Sequence, residues 1–318
     1  MPELPEVETV ARGLRRSLRG RRIVSVRLGK TDFIDDPAAL ERDLPGTRIE
    51  SVARYGKFLL LHLGPRNGAG ARSCFVIHLG MTGQLTPRKA EEPVARHTHA
   101  LFLLDDGREL RYTDIRRFGR LALVPETALE GFLSRLGADP LEATEDEFRQ
   151  RLAGRRARIK ALLLDQHVFR GMGNIYADES LWRARIHPER HAARLTREQV
   201  TRLHRTIREV LSAAIRLRGS SVSNYIDADG RPGEYQRRHR VYRREGEFCY
   251  RCGEKIRCIV VAGRSSYFCP HCQPAPRRGR AMQRRKAKPT QSQEGSFSAR
   301  RRFALSRRDA GAEQPRRK

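Results

Sequence analysis

The sequence has no long apolar run and few acidic residues. Nothing in its 318 residues approaches the roughly 18 consecutive apolar residues of a membrane-spanning helix, so none is expected. The first eight residues carry three glutamates instead of the basic and then apolar pattern of a targeting leader, so no leader is expected either. The hydrophobic fraction is 38% and the mean hydropathy −0.66, which places part of the chain outside any core. The length suits two domains and an appendage.

Acidic residues are far fewer than basic ones, so the chain is strongly basic. Lys and Arg number 65 against 37 Asp and Glu, a net charge of +28. Such a surface binds polyanions, because each neutralised phosphate releases counterions. Residues 274–318 carry 15 basic and 3 acidic residues, yet the rest of the chain is basic too. An anionic membrane is a rival partner, but no basic amphipathic helix with Trp and Phe on its apolar face is evident, which favours nucleic acid.

Only six cysteines are present, and four form two CxxC pairs separated by 16 residues. The four are Cys249, Cys252, Cys269 and Cys272. This spacing indicates metal ligation in a reducing cytoplasm rather than a disulfide framework, and four thiolates suit one structural, tetrahedral zinc ion. Cys74 and Cys258 are left over as buried or free thiols, and His271 is a weaker alternative ligand.

Apolar periodicity predicts one leading helix, at about residues 5–19, followed by seven short strands. The strands are residues 22–28, 47–53, 57–63, 74–79, 99–104, 109–113 and 120–124. This pattern is typical of a β-sandwich. From residue 125 the pattern becomes helical, with helices at 158–165, 175–185 and 196–217. The predicted fold is therefore multidomain α+β, ending in a β-hairpin zinc ribbon.

The first residues of the chain could supply a nucleophile. Removal of Met1, which a small second residue favours, would leave Pro2 with a free secondary amine. The pKa of an α-amino group is about 8. Such an amine attacks a carbon at the aldehyde oxidation level to give an iminium, and Glu3 is close enough to move protons for it. The plainer interpretation is that Pro2 merely follows the initiator and Pro5 occupies the first helical turn.

Three further segments have both a plain and a functional interpretation. A glycine-flanked turn presents Met81, and the turn 113–119 presents Arg116 and Phe118. The plain interpretation is an ordinary hairpin turn in each case. The functional interpretation is that the chain binds a nucleic-acid duplex from which a base is displaced, and that these side chains fill the space left by the base. Asn174 follows a glycine loop and is placed to cap the next helix, whose N-terminus would face an approaching anion.

Several of these motifs together resemble the formamidopyrimidine-DNA glycosylase (Fpg) family of bacterial base-excision repair enzymes. The resemblance rests on the start Met-Pro-Glu-Leu-Pro-Glu-Val-Glu, on the run 171–182 (Gly-Met-Gly-Asn-Ile-Tyr-Ala-Asp-Glu-Ser-Leu-Trp), and on the cysteine pairs. It covers residues 2–273. It implies a bifunctional DNA glycosylase and abasic-site lyase that excises oxidised purines, such as 8-oxoguanine and formamidopyrimidines, from double-stranded DNA. A Schiff base at Pro2 would lead to β,δ-elimination.

The resemblance also implies roles for individual residues. The catalytic set is Pro2, Glu3, Lys57 and Arg264. The DNA-contacting set is His78, Met81, His97, Arg116, Phe118, Arg155 and Asn174. Lys57 alone would be an ordinary strand-end lysine. The chain departs from the family at Ile115, where proline is common, and at residues 219–221, where Gly-Ser-Ser replaces Gly-Gly-Thr in the loop that covers the everted base.

The expected domains are a catalytic sandwich at 2–124, a helical helix-two-turns-helix domain at 125–235, a zinc hairpin at 236–273 and a disordered basic tail at 274–318. We expect a monomer in the bacterial cytoplasm, associated with the nucleoid and not with a membrane. Three alternatives stay open: an endonuclease VIII-like enzyme for oxidised pyrimidines, a non-catalytic lesion-binding protein, and a zinc-ribbon transcription factor, which would leave residues 2–245 unexplained.

Overall fold

Two antiparallel sheets follow the first helix of the chain. The computed structural model of the protein describes residues 1–276, so the predicted basic tail lies, except for its first three residues, outside the described residues. One sheet has the strand order β1-β6-β7-β5 and the other β2-β3-β4-β8. The strands are β1 Ile23–Leu28, β2 Ile49–Tyr55, β3 Phe58–Leu63, β4 Ser73–His78, β5 Gln84–Lys89, β6 Thr98–Leu104, β7 Arg108–Thr113 and β8 Arg120–Pro125. Their apolar faces form one shared core, which confirms the predicted sandwich.

The sandwich contains one strand that the sequence pattern did not indicate. β5 has the sequence Gln-Leu-Thr-Pro-Arg-Lys and lacks an apolar alternation long enough to be recognised. It lies at an edge of its sheet, paired only with β7, where the missing N–H of Pro87 costs no bond within the sheet. A short helix, α2 (Pro37–Asp43), also lies between β1 and β2, and Asp36 caps it by accepting a bond from the Ala39 N–H (3.0 Å).

Five helices and a hairpin make up the rest of the described chain. The helices are α3 Glu126–Leu133, α4 Glu145–Leu152, α5 Ile159–Leu164, α6 Asn174–Ala184 and α7 Arg197–Arg216, and the hairpin strands are β9 Arg257–Val261 and β10 Arg264–Phe268. Thr144 and Thr196 begin α4 and α7 as capping boxes. The α+β class is thus confirmed, whereas the boundaries at 124, 235 and 273 stay a prediction. Within residues 1–276 no helix is long and apolar enough to cross a membrane.

Helix α1 (Leu4–Leu18) belongs to both hydrophobic cores. Val7, Val10, Leu14 and Leu18 recur on one face and pack among the sandwich strands. Leu4, one turn earlier, packs instead among the side chains of α4 to α7. The chain start is therefore fixed at the junction between the sandwich and the helices.

A buried arginine joins three parts of the same junction. Arg54, on β2, has a side chain only 6% exposed and forms ion pairs with Glu8 of α1 (3.0 Å) and with Asp139 (2.7 Å) in the segment before α4. The Asp139 carboxylate also accepts the Leu141 N–H at 3.0 Å. Removing one partner of a buried pair leaves an uncompensated charge, which costs more than the pair itself contributes.

We expect Arg54→Met to lower the free energy of unfolding by about 3 kcal/mol or more, because Glu8 and Asp139 would lose their shared cation. Urea unfolding measures the change. Arg12→Met is the matched control, since Arg12 also pairs with Glu8 but its side chain is 56% exposed, and it should cost no more than about 1 kcal/mol. Equal costs for the two variants would contradict this account.

Candidate active site

The Glu3 carboxylate caps helix α6. Its oxygens accept the backbone N–H groups of Ile175 (3.0 Å) and Tyr176 (3.4 Å), and Glu3 is only 3% exposed. A Cβ on Gly173 would lie 2.2 Å from the Glu3 carboxyl carbon, so only glycine admits this approach. In the same loop, the carbonyl of Gly171 accepts the Leu4 N–H at 3.0 Å. The glycine loop therefore holds the chain start against the first turn of α6.

This cap corrects one expectation from the sequence. The N-cap of α6 is Gly173, and Asn174 is the first helical residue. The Asn174 side chain makes no cap and donates instead to the Ser265 carbonyl on β10 at 3.0 Å. The capping prediction for Asn174 was wrong because a carboxylate distant in sequence already occupies the helix terminus, where a negative charge is most favourable.

Lys57 lies across the same site from Glu3. It precedes β3 and is 8% exposed, and burial lowers the pKa of its ammonium, opposed by the Glu3 carboxylate and assisted by Arg264. Burial likewise raises the pKa of Glu3, while Lys57 and the α6 N–H groups lower it. Burial thus favours the neutral form of both groups, while their mutual attraction favours the charged forms.

Lys57 and Glu3 line a cavity of about 520 Å³. Met1, Met81, Asn174 and Arg264 also line it, so the sandwich, the helices and the zinc hairpin all contribute. Burial lowers the pKa of the α-amino group of Met1, which increases its unprotonated fraction at neutral pH. Pro2 is buried directly behind Met1. The arrangement combines an amine, a carboxylate and two cations around one space.

Behind the cavity, Glu6 joins three segments. Its carboxylate accepts the Glu3 N–H (2.8 Å), the Ser220 N–H (2.7 Å) and the hydroxyl of Tyr176. A Cβ on Gly219 would lie 2.6 Å from a Glu6 oxygen, so that position must be glycine. Burial, followed by repulsion from Glu3, raises the pKa of Glu6 to about 7. Sequence reasoning missed this residue, although a glutamate in the first helical turn three residues after Glu3 is a capping-box signal.

A buried ion pair fastens the hairpin strand β10 to the helices. Lys160 is completely buried, with its ammonium 2.7 Å from Asp178 and 2.7 Å from the carbonyl oxygen of Ser265. Asp178 accepts the Tyr267 N–H at 3.0 Å. These bonds hold Arg264, the first residue of β10, at the edge of the cavity. Sequence reasoning missed the pair, but a lysine within the apolar run of α5 is a signal, because a buried lysine needs a partner.

Met81 and Asn174 are the two predicted DNA contacts that line the cavity. Phe118 is 56% exposed on the neighbouring loop with the Arg116 guanidinium 4.5 Å from its ring centroid. His78 ends β4 beside Lys57, and burial lowers its pKa to about 4.

His97 and Arg155 also lie outside the cavity lining, as do His78, Arg116 and Phe118. His97 directly precedes β6 and has a positive φ of 69°. Arg155 is exposed and follows the end of α4. Neither side chain is drawn into the cluster of Glu3, Lys57 and Arg264.

The four CxxC cysteines converge beside the β9–β10 hairpin. Their Sγ atoms all lie within 4.8 Å of one another, compared with the roughly 3.8 Å edge of a tetrahedron with zinc–sulfur bonds of about 2.3 Å. The donor set therefore fits one zinc ion. Cys74 is buried in the sandwich, Cys258 is half-buried on β9 and His271 is exposed, and none of the three belongs to the group.

Comparison with known proteins covers most of the described chain. Residues 1–121 match the model of the formamidopyrimidine-DNA glycosylase N-terminal domain, residues 136–225 match its H2TH domain, and residues 246–275 match the zinc finger found in FPG and IleRS. Formamidopyrimidine-DNA glycosylase of Desulforamulus reducens is 45% identical and that of Chloroflexus aurantiacus 48% identical. Each alignment covers 86% of this chain, with 100% and 98% of the respective relative.

Solved structures of DNA complexes also match the fold of this chain. The Lactococcus lactis Fpg bound to DNA with an abasic site matches with a TM-score of 0.79 at 36% identity, over 86% of this chain and all of that chain. A complex of MutM with DNA containing carbocyclic 8-oxo-G matches with a TM-score of 0.78 at 36% identity and the same coverage.

We expect the purified protein to carry one equivalent of zinc and Cys269→Ala to lose most of it, because three thiolates leave the tetrahedral site incomplete. Metal analysis by mass spectrometry measures the stoichiometry. Cys258→Ala is the matched control from the same hairpin and should keep its zinc. Loss of zinc in the Cys258 variant would contradict the assigned ligand set.

We expect the stability difference between wild type and Glu6→Gln to depend on pH. A carboxyl group whose pKa is raised from 4.5 to about 7 stabilises the fold below pH 4.5, and this contribution is lost as the pH rises through 7. Glutamine cannot titrate. The free energy of unfolding that Glu6→Gln lacks relative to wild type should therefore shrink by about 3 kcal/mol between pH 4.5 and pH 8. Urea unfolding at both pH values measures the two deficits. A deficit independent of pH would contradict the raised pKa.

Proposed function

The chain belongs to the formamidopyrimidine-DNA glycosylase family, and from this premise we propose that its Pro2 amine is the nucleophile of the reaction. The protein is a DNA glycosylase of base-excision repair for oxidised purines, and abasic-site lyase activity is part of its family. One observation carries the assignment: Glu3, Lys57 and Arg264, from three distant parts of the chain, line one cavity together with Met1. Removal of Met1 would expose the Pro2 nitrogen to that cavity.

In the proposed reaction the Pro2 nitrogen attacks C1′ of the damaged nucleotide as the bond from C1′ to the base breaks. The departing base takes up a proton and Pro2 gives up its N–H proton. The nitrogen lone pair then breaks the bond from C1′ to O4′, which takes up a proton, and an iminium forms between Pro2 and C1′ of the opened sugar. The iminium acidifies C2′–H, whose loss expels the 3′ phosphate. The conjugated iminium that results acidifies C4′–H, whose loss expels the 5′ phosphate. The products are a one-nucleotide gap bounded by phosphates and a sugar fragment released from Pro2 by water.

Glu3 is suited to carry protons during base loss and ring opening. Burial raises the pKa of its carboxyl, which makes the carboxylate a stronger proton acceptor than an exposed glutamate. Lys57 and Arg264 supply positive charge on the far side of the cavity and would hold the phosphates that depart. The α6 terminus binds Glu3 rather than a phosphate, so its N–H groups keep the acid oriented.

Double-stranded DNA with a damaged base or abasic site is the proposed partner. Met81, Arg116 and Phe118 would fill the space left by the everted nucleotide, and His78, His97, Arg155 and Asn174 would contact the backbone. The net charge of +28 supports this partner. The loop at 218–225 would cover the everted base, where Gly-Ser-Ser departs from the family pattern. We further propose a monomer, located with the nucleoid in the cytoplasm, as its relatives are bacterial.

We expect borohydride to trap the protein covalently on a duplex containing 8-oxoguanine, because hydride reduces the iminium to a stable amine. Digestion of the crosslink followed by mass spectrometry should locate the adduct on the nitrogen of residue 2. Pro2→Gly should lose most of the crosslink on this duplex. Pro5→Ala is the matched control, since Pro5 is also buried in the first turn of α1 but has no free nitrogen.

The same assay discriminates the alternatives. A duplex with thymine glycol should react more slowly than the one with 8-oxoguanine, and the reverse order would favour the endonuclease VIII-like activity. Binding without any crosslink would favour a non-catalytic lesion-binding protein. An adduct on Lys57, or fully active protein that retains Met1, would overturn the role of Pro2.

A further inference from the structure

One buried carboxylate lies beneath the loops that carry Met81, Arg116 and Phe118. Asp114 follows β7 and is completely buried. Its Oδ1 accepts bonds from the Thr82 hydroxyl (2.5 Å) and the Arg116 N–H (3.2 Å). Its Oδ2 accepts bonds from the Tyr112 hydroxyl (3.2 Å) and the Gly119 N–H (2.9 Å).

These bonds join two loops that are far apart in sequence. Thr82 follows Met81 in the turn between β4 and β5, whereas Arg116 and Gly119 enclose Phe118 in the turn between β7 and β8. In addition, the Thr82 hydroxyl accepts the Arg116 N–H at 3.1 Å, which closes a small ring of bonds. A single carboxylate therefore sets the position of one loop relative to the other.

The two loops are in close contact beside Asp114. A Cβ on Gly80 would lie 2.3 Å from the Phe118 carbonyl carbon, and a Cβ on Gly119 would lie 1.7 Å from the Tyr112 hydroxyl. The two loops thus touch through backbone atoms, which glycine alone permits. Side-chain hydroxyl groups and backbone N–H groups then fill the remaining space around the carboxylate.

Asp114 has no cation partner among residues 1–276 that would explain its burial as an ion pair. The nearby Arg117 and Arg120 pair instead with Asp32 (2.9 Å) and Asp35 (2.5 Å). All four bonds to Asp114 come from donors, and a carboxylate, which only accepts, is the one side chain of this size that matches them. Asparagine would direct its NH₂ group at two of the four donors.

Residue 115 does not restrict the loop as a proline would. Ile115, which stands where the family often has proline, is 50% exposed, and Arg117 adopts a positive φ of 53°. The bonds of Asp114 to Arg116 and Gly119 therefore help to fix the turn, together with the ion pair between Arg117 and Asp32.

We propose that Asp114 is the positioning residue of this wedge, defined as Met81, Arg116 and Phe118, and that it holds the wedge for insertion into DNA. The proposal rests on the proposed function, in which the wedge replaces the everted nucleotide. Asp114 acts through the two loops and touches neither DNA nor the reacting atoms. A misplacement of about 1 Å in such an element reduces a rate by roughly 100-fold.

The test compares Asp114→Asn with wild type on two substrates. The first is a duplex with 8-oxoguanine opposite cytosine, which requires eversion and filling of the gap. The second is a single-stranded oligonucleotide with an abasic site, which has no gap and no opposite base. We expect roughly 100-fold slower incision of the duplex and unchanged borohydride trapping on the single strand. 2-Aminopurine beside the lesion should show a slower fluorescence change as the wedge enters.

Glu109→Gln is the matched control, because Glu109 is also buried on β7 but binds Arg27 and Arg111, away from the wedge. It should leave both reactions unchanged. Equal losses on the two substrates, or full activity of Asp114→Asn on the duplex, would overturn the proposal. If Asp114→Asn does not fold, Thr82→Val decides: selective slowing on the duplex supports the proposal and wild-type behaviour overturns it. Failure of wild type to be trapped on the single strand would instead reject the proposed function.

Discussion

The contact between the Glu3 carboxylate and the first turn of α6 is the constraint on which the rest of the site depends. It fixes the second residue after the initiator against a helix more than 170 positions away in the sequence. Two glycines follow from it, because Gly173 must admit the carboxyl group and Gly171 must admit Leu4. Burial of this contact also perturbs the acid–base behaviour of Glu3 and Lys57. A single packing requirement therefore determines both the geometry and the chemistry of the cavity.

Several charged side chains around this contact are buried, and each is held by specific partners. Glu179, fully buried on α6, accepts the backbone N–H groups of Arg240, Val241 and Tyr242 at 2.8–3.0 Å. This fixes the segment that leads into the zinc hairpin, as Lys160 and Asp178 fix β10. Carboxylates inside a strongly basic protein thus organise the backbone, while the exposed arginines remain available to a polyanion.

Much of this architecture could be predicted from sequence, for identifiable reasons. Apolar spacing predicted α1, α7 and seven of the strands. The spacing of the cysteines predicted the zinc ligands beside the hairpin. The edge strand β5 was missed because Pro87 and its polar neighbours carry no alternation. The cap of α6 was assigned to Asn174 because a local pattern favours a local partner, whereas the true acceptor, Glu3, is distant in sequence. Glu6 and Lys160 carried local signals, but these signals did not show that Ser220 and Asp178 would bind them. Asp114 was missed because its burial and its bond to Thr82 are not local properties.

Helix α1 places its first turn in one hydrophobic core and its later turns in the other, and this has a consequence for modularity. The sandwich expressed alone would carry the chain start but lack the helix that receives Glu3, and the helices alone would lack the amine. Neither fragment would contain an assembled reaction centre. The chemistry therefore requires the sandwich and the helices together. A chimera that joins either half to the corresponding half of another protein would have to keep both Glu3 and Gly173.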